Sequence, residues 1–180
     1  MTDASSFEEF VRRYQDLVFA IAVRLLGDPS EAEDVSQTVF LRAFERYDAM
    51  VGNPSAPGWL RTVTTNLCLN HLTRYRSRWR PFRRGRSAGD RFHRPLEETL
   101  AAPGSHAEDI ERAEMALRLE LAVRSLPTHQ RVPIVLFHFE ERTYREIASL
   151  LDVSLAKVKT DIRRGRLALR ALLVTEDETV

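Results

Sequence analysis

Through most of this chain, apolar residues return at every third or fourth position. "SFEEFVRRYQDLVFAIAVRLLGD" sets Phe7, Phe10, Tyr14, Leu17, Val18, Ile21 and Leu25 at that spacing, the signature of a helix with one apolar face. Ser6 with Glu9 gives a capping-box pattern at its start, and Gly27 supplies a stop. Ser30 with Glu33 gives a second box, ahead of "EAEDVSQTVFLRAFERYD" with its stripe of Ala32, Val35, Val39, Ala43 and Phe44. "VGNPSAPG" then places two prolines and two glycines within eight residues, which forbids helix. A third helix is predicted from Pro57 through "WLRTVTTNLCLNHLTRYR". No segment reads as strand and no internal repeat is found, so the expected fold class is all-α.

Regularity lapses from about Trp79 to Ser105, where Pro81, Gly85, Gly89, Pro95, Pro103 and Gly104 punctuate the chain. A break of that length predicts two small helical domains joined by an irregular linker. The expected boundaries are 1–78, a linker over 79–106, a second domain over 107–175 and an acidic tail over 176–180. The net charge of +1 conceals a segregation: residues 71–94 carry nine arginines and one acid, Asp90. A basic block in mid-chain favours an anionic partner. Helical pattern resumes at "AEDIERAEMALRLELAVRSL", with Ile110, Met115, Leu117, Leu119, Leu121 and Val123 apolar. "THQRVPIVLFHFEE" follows, where Pro133 should kink the helix or delay its start.

"TYREIASLLDVSLAKVKTDIRRG" (143–165) reads as two short helices around a tight turn. Thr143 and Glu146 form a capping box, and Ile147, Leu150 and Leu151 are expected to face inward. Asp152 sits where a left-handed residue is often required, and Ser154 caps the second helix, whose buried side is Val158 and Ile162. Lys157, Lys159, Arg163 and Arg164 gather toward one side. A box would want Glu at 157. An acid there would repel phosphates, whereas Lys can reach a phosphate or a guanine edge. Spacing, cap, turn and cations together indicate a helix-turn-helix that enters DNA.

Other classes find little support. Cys68 is the sole cysteine, which excludes a disulfide framework and reads as a small buried hydrophobe. His71, His93, His106, His129 and His138 are scattered without ligand spacing or a paired nucleophile, so no enzyme, metal or cofactor is expected. No apolar run approaches a membrane span and "MTDASSFEEF" lacks a signal peptide's basic start, so a soluble cytoplasmic protein is expected.

Taken together, three blocks resemble the bacterial extracytoplasmic-function sigma factors of RNA polymerase. "RLLGDPSEAEDVSQTVFLRAFERYD" is similar to their polymerase-binding segment, and "WLRTVTTNLCLNHLTR" to the segment that reads and opens the −10 element. "LPTHQRVPIVLFHFEERTYREIASLLDVSLAKVKTDIRRGRLALRALL" resembles their fourth region, which reads the −35 element. The resemblance implies a region 2 bundle followed by a region 4 helix-turn-helix. It implies that Asp34, Gln37, Thr38 and Phe40 contact core polymerase, Thr38 standing where the family often has Glu. It assigns Asn53, Arg61, Thr62, Asn66, Asn70 and Thr73 to −10 DNA, with Asn70 where Asp is usual and Thr62 where a basic residue is common. The loop "VGNPSAPG" is similar to one that pockets a flipped −10 base. Amides and hydroxyls at near four-residue spacing suit the edges of unstacked bases.

Linker contacts to nucleic acid are expected from Arg74, Arg76, Arg78, Arg80, Arg83 and Arg84, with Tyr75, Trp79, Phe82 and Phe92 able to stack. The −35 contacts are expected from Thr143, Ser154, Lys157, Lys159, Thr160, Arg163 and Arg164. The implied partners are core RNA polymerase, promoter DNA as −35 duplex and −10 single strand, and, as is common in the family, an anti-sigma factor. The rival is a free-standing helix-turn-helix regulator, which would bind duplex tightly without polymerase and have no use for the Asn66 stripe.

Overall fold

The computed structural model describes the backbone over residues 4–79 and 106–177, and side chains within 6–73 and 110–174. Those residues form eight helices, with no strand among them.

Helix α1 (Ala4–Leu26) buries Phe10, Val18, Ile21, Ala22 and Leu25. Gly27 ends it at φ +76°, a left-handed residue whose N–H donates to Val23 O at 2.8 Å. Because α1 begins before Ser6, that serine does not cap it. Its hydroxyl instead shares a 2.6 Å hydrogen bond with the hydroxyl of Tyr47. Helix α2 (Pro29–Phe44) is capped by Asp28, not by a Ser30–Glu33 box. Asp28 Oδ1 accepts from Ser30 N at 2.8 Å and Glu31 N at 3.1 Å. Pro29 fits the first helical position because it has no N–H to satisfy, and this moves the cap upstream of Ser30. Ala32, Val35, Val39 and Ala43 are buried as their spacing predicts. A one-turn helix, α3 (Tyr47–Met50), was not legible in the sequence; Tyr47 packs edge-on to Phe7 and Phe10. Helix α4 (Ala56–Trp79) starts one residue before Pro57 and packs against both α1 and α2.

The second half contains α5 (His106–Ser125), α6 (Thr128–His138), α7 (Tyr144–Leu151) and α8 (Leu155–Asp177). Of the apolar residues expected to line α5, Ile110, Met115, Leu117 and Leu121 are exposed; burial begins near its end, at Ala122 and Val123. Pro133 does not delay α6, which starts five residues ahead of it. The carbonyl left without its helical partner belongs to His129, an exposed residue. On α7, Ile147 is buried, but Leu150 is 41 % exposed and does not join the core. On α8, Val158 and Ile162 are buried as predicted.

The reading segment and "LALRALL" belong to one continuous helix. Gly165 explains how α8 approaches α6: a Cβ there would stand 2.7 Å from Ile134 Cγ1. The halves are also in mutual contact, with α1 packing on α5 and α6 and the buried apolar residues forming one cluster. No helix among the described residues is long and apolar enough to cross a membrane.

Candidate nucleic-acid and partner interfaces

The α7–α8 pair is held by reciprocal capping. Thr143 N donates to Glu146 Oε2 at 2.7 Å, and Glu146 N donates to Thr143 Oγ1 at 3.3 Å. Thr143 Oγ1 also donates to Glu146 Oε2 at 2.7 Å, and this bond, followed by the one from Thr143 N, holds the Glu146 carboxyl below its ordinary pKa. Asp152 takes the left-handed conformation, φ 51° and ψ 52°, and Ser154 Oγ accepts Lys157 N at 3.2 Å. Both follow from the residue types: Asp tolerates αL, and a serine oxygen satisfies a first-turn donor. Lys157, Lys159, Thr160, Arg163 and Arg164 are all exposed on the helix so oriented. Asp161 escaped the sequence reading. It is only 5 % exposed, and its Oδ2 accepts from Lys157 Nζ at 2.7 Å. Part of the Lys157 charge is therefore already matched within the helix, at the four-residue spacing that makes such pairs.

The α4 stripe has a different chemistry. Thr62, Asn66, Asn70 and Thr73 are all exposed. Thr62 Oγ1 donates to Gly58 O at 3.0 Å and Thr73 Oγ1 to Leu69 O at 2.9 Å. Their hydroxyl protons are thus occupied, leaving the oxygens as acceptors. Asn53 is committed to shaping its loop: Oδ1 accepts from Ser55 N at 2.9 Å and Ser55 Oγ at 2.7 Å, while Nδ2 donates to Ala49 O at 3.2 Å. Gly52, at φ +70°, turns the chain into that loop. Arg61 points to the other half, its Nη1 lying 3.3 Å from Glu140 Oε1. The linker residues Arg80, Arg83 and Arg84, with Phe82 and Phe92, lie outside the described residues. So do the side chains of Arg74, Tyr75, Arg76, Arg78 and Trp79, which end α4.

On α2, Asp34, Gln37 and Thr38 are exposed together and Phe40 is half-buried against the core. Thr38 Oγ1 donates back to Asp34 O at 3.0 Å. Leu41 continues this polar face and is 68 % exposed. It was missed, although it lies off the apolar stripe of α2 and that is the signal that could have found it.

Residues assigned to separate tasks meet between the halves. A cleft of about 350 Å³ is lined by Thr62, Thr65 and Asn66 from α4 and by Arg142, Glu146, Ser149 and Leu150 around α7. Cys68, also on α4, is fully buried, its thiol pushed up to about 12 by burial and then by the Glu140 charge. A thiol held so firmly protonated is a packing residue and not a nucleophile. Among the described residues, no three His, Cys, Asp or Glu side chains are grouped as a metal would require.

Residues 10–78 match the Sigma-70 region 2 family, and residues 116–169 match the Sigma-70, region 4 family. The chain is 30% identical over 172 residues to the ECF RNA polymerase sigma factor SigW of Bacillus subtilis, covering 95% of this chain and 90% of that protein. It is 32% identical over 168 residues to the ECF RNA polymerase sigma factor SigE of Mycolicibacterium smegmatis, covering 93% of this chain and 62% of that longer protein. Among solved structures, the sigma factor RpoE of Bartonella quintana, crystallised with the anti-sigma factor NepR, superposes with a TM-score of 0.55. At 18% identity, over 93% of this chain and 96% of that one, it supports the fold alone. With both sigma regions matched in order and relatives aligned along almost its whole length, the chain belongs to the extracytoplasmic-function sigma factors, which direct RNA polymerase to initiate transcription at specific promoters.

Proposed function

We propose that this chain holds core RNA polymerase through the exposed face of α2, reads the −35 element with the front of α8, and reads and opens the −10 element with α4. The observation that carries this division is the contrast between an uncharged stripe on α4 and a cationic helix front on α8, both exposed. Cations suit a duplex, where phosphates dominate affinity. Amides and acceptor oxygens suit base edges that become accessible only after unstacking. On α2, Asp34 and Gln37 supply the polar contacts, and Leu41 adds an apolar anchor that has no packing role in its own half.

Of the −10 set, Asn66 and Asn70 are the base readers, Thr62 and Thr73 offer acceptor oxygens, and Asn53 acts by shaping the loop. Lys159, Arg163 and Arg164 lead on α8, with Thr143 and Ser154 fixing its entry and Thr160 beside them. The linker arginines are assigned to single-stranded nucleic acid on charge. The bond-making chemistry belongs to the polymerase, so this chain needs no catalytic group or cofactor of its own, and its place is the cytoplasm. An anti-sigma factor, such as the one held by the Bartonella quintana protein, is the natural antagonist.

Transcription in vitro from a random promoter library tests the reading. Core polymerase with this chain should enrich a two-part motif that core polymerase alone does not. No enrichment, or a motif limited to one duplex element, would overturn it.

A further inference from the structure

The cations at the front of α8 are not equivalent. Helical spacing puts Asp161 beside Val158, Ile162 and Gly165, on the side of α8 that is seated against the fold, and all four residues are buried. Lys157 stands one turn before Asp161, at the edge of that side. Its Nζ donates to Asp161 Oδ2 at 2.7 Å, with the lysine side chain 51 % exposed and the aspartate side chain 7 %. Lys159 lies toward the opposite edge, with Thr160 and Arg163 on the exposed side between them. Among the described residues, Lys157 alone of the four cations is held in an ion pair.

A carboxylate on a helix that enters DNA repels phosphates, and its burial costs it solvation, so its presence needs a reason. What the pair does to Lys157 supplies one. An unheld lysine at the rim of a groove goes by default to the backbone, where half to two-thirds of protein–DNA hydrogen bonds are made. Lys157 is not free to do so. Its ammonium is fixed against the wall of the helix, and a cation already matched by a carboxylate gains little from phosphate attraction. One of its three N–H donors is committed to Asp161, which leaves two in a fixed position. In the major groove a guanine edge offers two acceptors, N7 and O6, to such a group.

We propose that Asp161 is a positioning residue for −35 recognition: by holding the Lys157 ammonium it keeps that lysine off the phosphates and presents it to a guanine edge, so that Lys157 contributes selectivity and not general affinity. The proposal rests on α8 being the −35 reader.

The test measures closed-complex formation by the full chain with core polymerase over a range of salt. The DNA is the promoter selected from the library and copies of it with each −35 base pair changed in turn. Asp161→Asn keeps the shape of the side chain and removes its charge. This variant should bind every copy more tightly and steepen the fall of log K with log salt by about 0.9, as one further phosphate contact does. It should also lose about fivefold or more in discrimination at one G·C pair. Lys157→Ala combined with Asp161→Asn removes cation and anion together. It should keep the parent's salt slope and lose discrimination at the same pair.

Tighter binding by Asp161→Asn with discrimination intact is the effect of one lost negative charge alone and would overturn the proposal. A shallower slope for the double variant would place Lys157 on a phosphate in the parent and overturn it equally. Circular dichroism checks folding, and should Asp161→Asn lose helix content, the double variant decides by itself. If the parent's library yields no −35 motif, the reading of α8 fails and the positioning role with it. A clear motif with variants that behave otherwise removes the positioning role alone.

Discussion

Helix α8 and helix α4 both present a stripe of side chains to solvent, yet they are built on opposite plans. The front of α8 is set by strong local chemistry: the Thr143–Glu146 box, the left-handed Asp152 and the Ser154 cap together fix where Lys157 and Lys159 emerge. Gly165 then lets the helix seat directly on α6. The α4 stripe has no comparable frame. Its residues lie on a plain helix, carry no charge, and in two cases return their hydroxyl protons to the backbone. A duplex offers a fixed groove and repays a rigid, cationic entrant. Unstacked bases arrive in no preset geometry, and they reward acceptors and amides spread along a face.

The largest expected effect removes the polymerase while sparing both stripes. Asp34→Ala with Gln37→Ala should fold normally and lose co-elution with core polymerase, since leaving a partner's charge unpaired across a desolvated patch can cost several kcal/mol. Retained co-elution in the double variant would detach α2 from polymerase binding. On α8, Lys159→Ala should weaken −35 duplex binding by roughly 1–3 kcal/mol if it reads a base, or flatten the salt dependence uniformly if it meets a phosphate. Lys157→Ala should lose less, because Asp161 already holds its ammonium. Binding by both variants as tight as the parent's at every salt concentration would remove α8 as the reader.

On α4, Asn66→Ala should leave closed-complex formation intact and reduce strand opening by about 1 kcal/mol, the usual worth of a hydrogen bond. Permanganate reactivity of exposed thymines measures this, and unchanged opening would dismiss Asn66. Two glycine substitutions, read in stability and not in binding, probe the two frames directly. Gly165→Ala should lower thermal stability by about 1–3 kcal/mol, because Ile134 must shift to admit the methyl group. Gly58→Ala on α4 meets nothing within 4 Å and should raise stability by about 0.5–1 kcal/mol. Opposite signs at these glycines would confirm that α8 is seated by close approach and that the start of α4 is open.

What could be read from the sequence follows from the range over which each feature is decided. The α7–α8 pair was legible because its determinants lie within a few residues: Thr143 with Glu146, Asp152 in the turn, Ser154 before the second helix. The start of α2 was misread by two residues, since Ser30–Glu33 satisfies a capping-box pattern that Asp28 and Pro29 pre-empt. Leu150 was misplaced because a helix of eight residues gives the apolar period little length to define a face. Arg131 was not legible at all. In "THQRVPIVLFH" it is a lone cation on an apolar helix, and two of the four carbonyls that explain its burial, those of Leu25 and Leu26, lie more than a hundred residues earlier. The exposed polar faces of α2 and α4 were found only through resemblance to a family, since a solvated helix side and a binding side share one pattern.

The central claim is that promoter recognition belongs to the chain and polymerase together. The most direct measurement is binding and transcription on one selected promoter by the purified chain, with and without core polymerase. Alone, the chain should show weak, strongly salt-dependent duplex binding and no opening of the −10 region. With core polymerase it should open that region and start transcripts at a single position. Nanomolar, sequence-selective binding of the full promoter by the chain alone, unaffected by polymerase, would contradict the account.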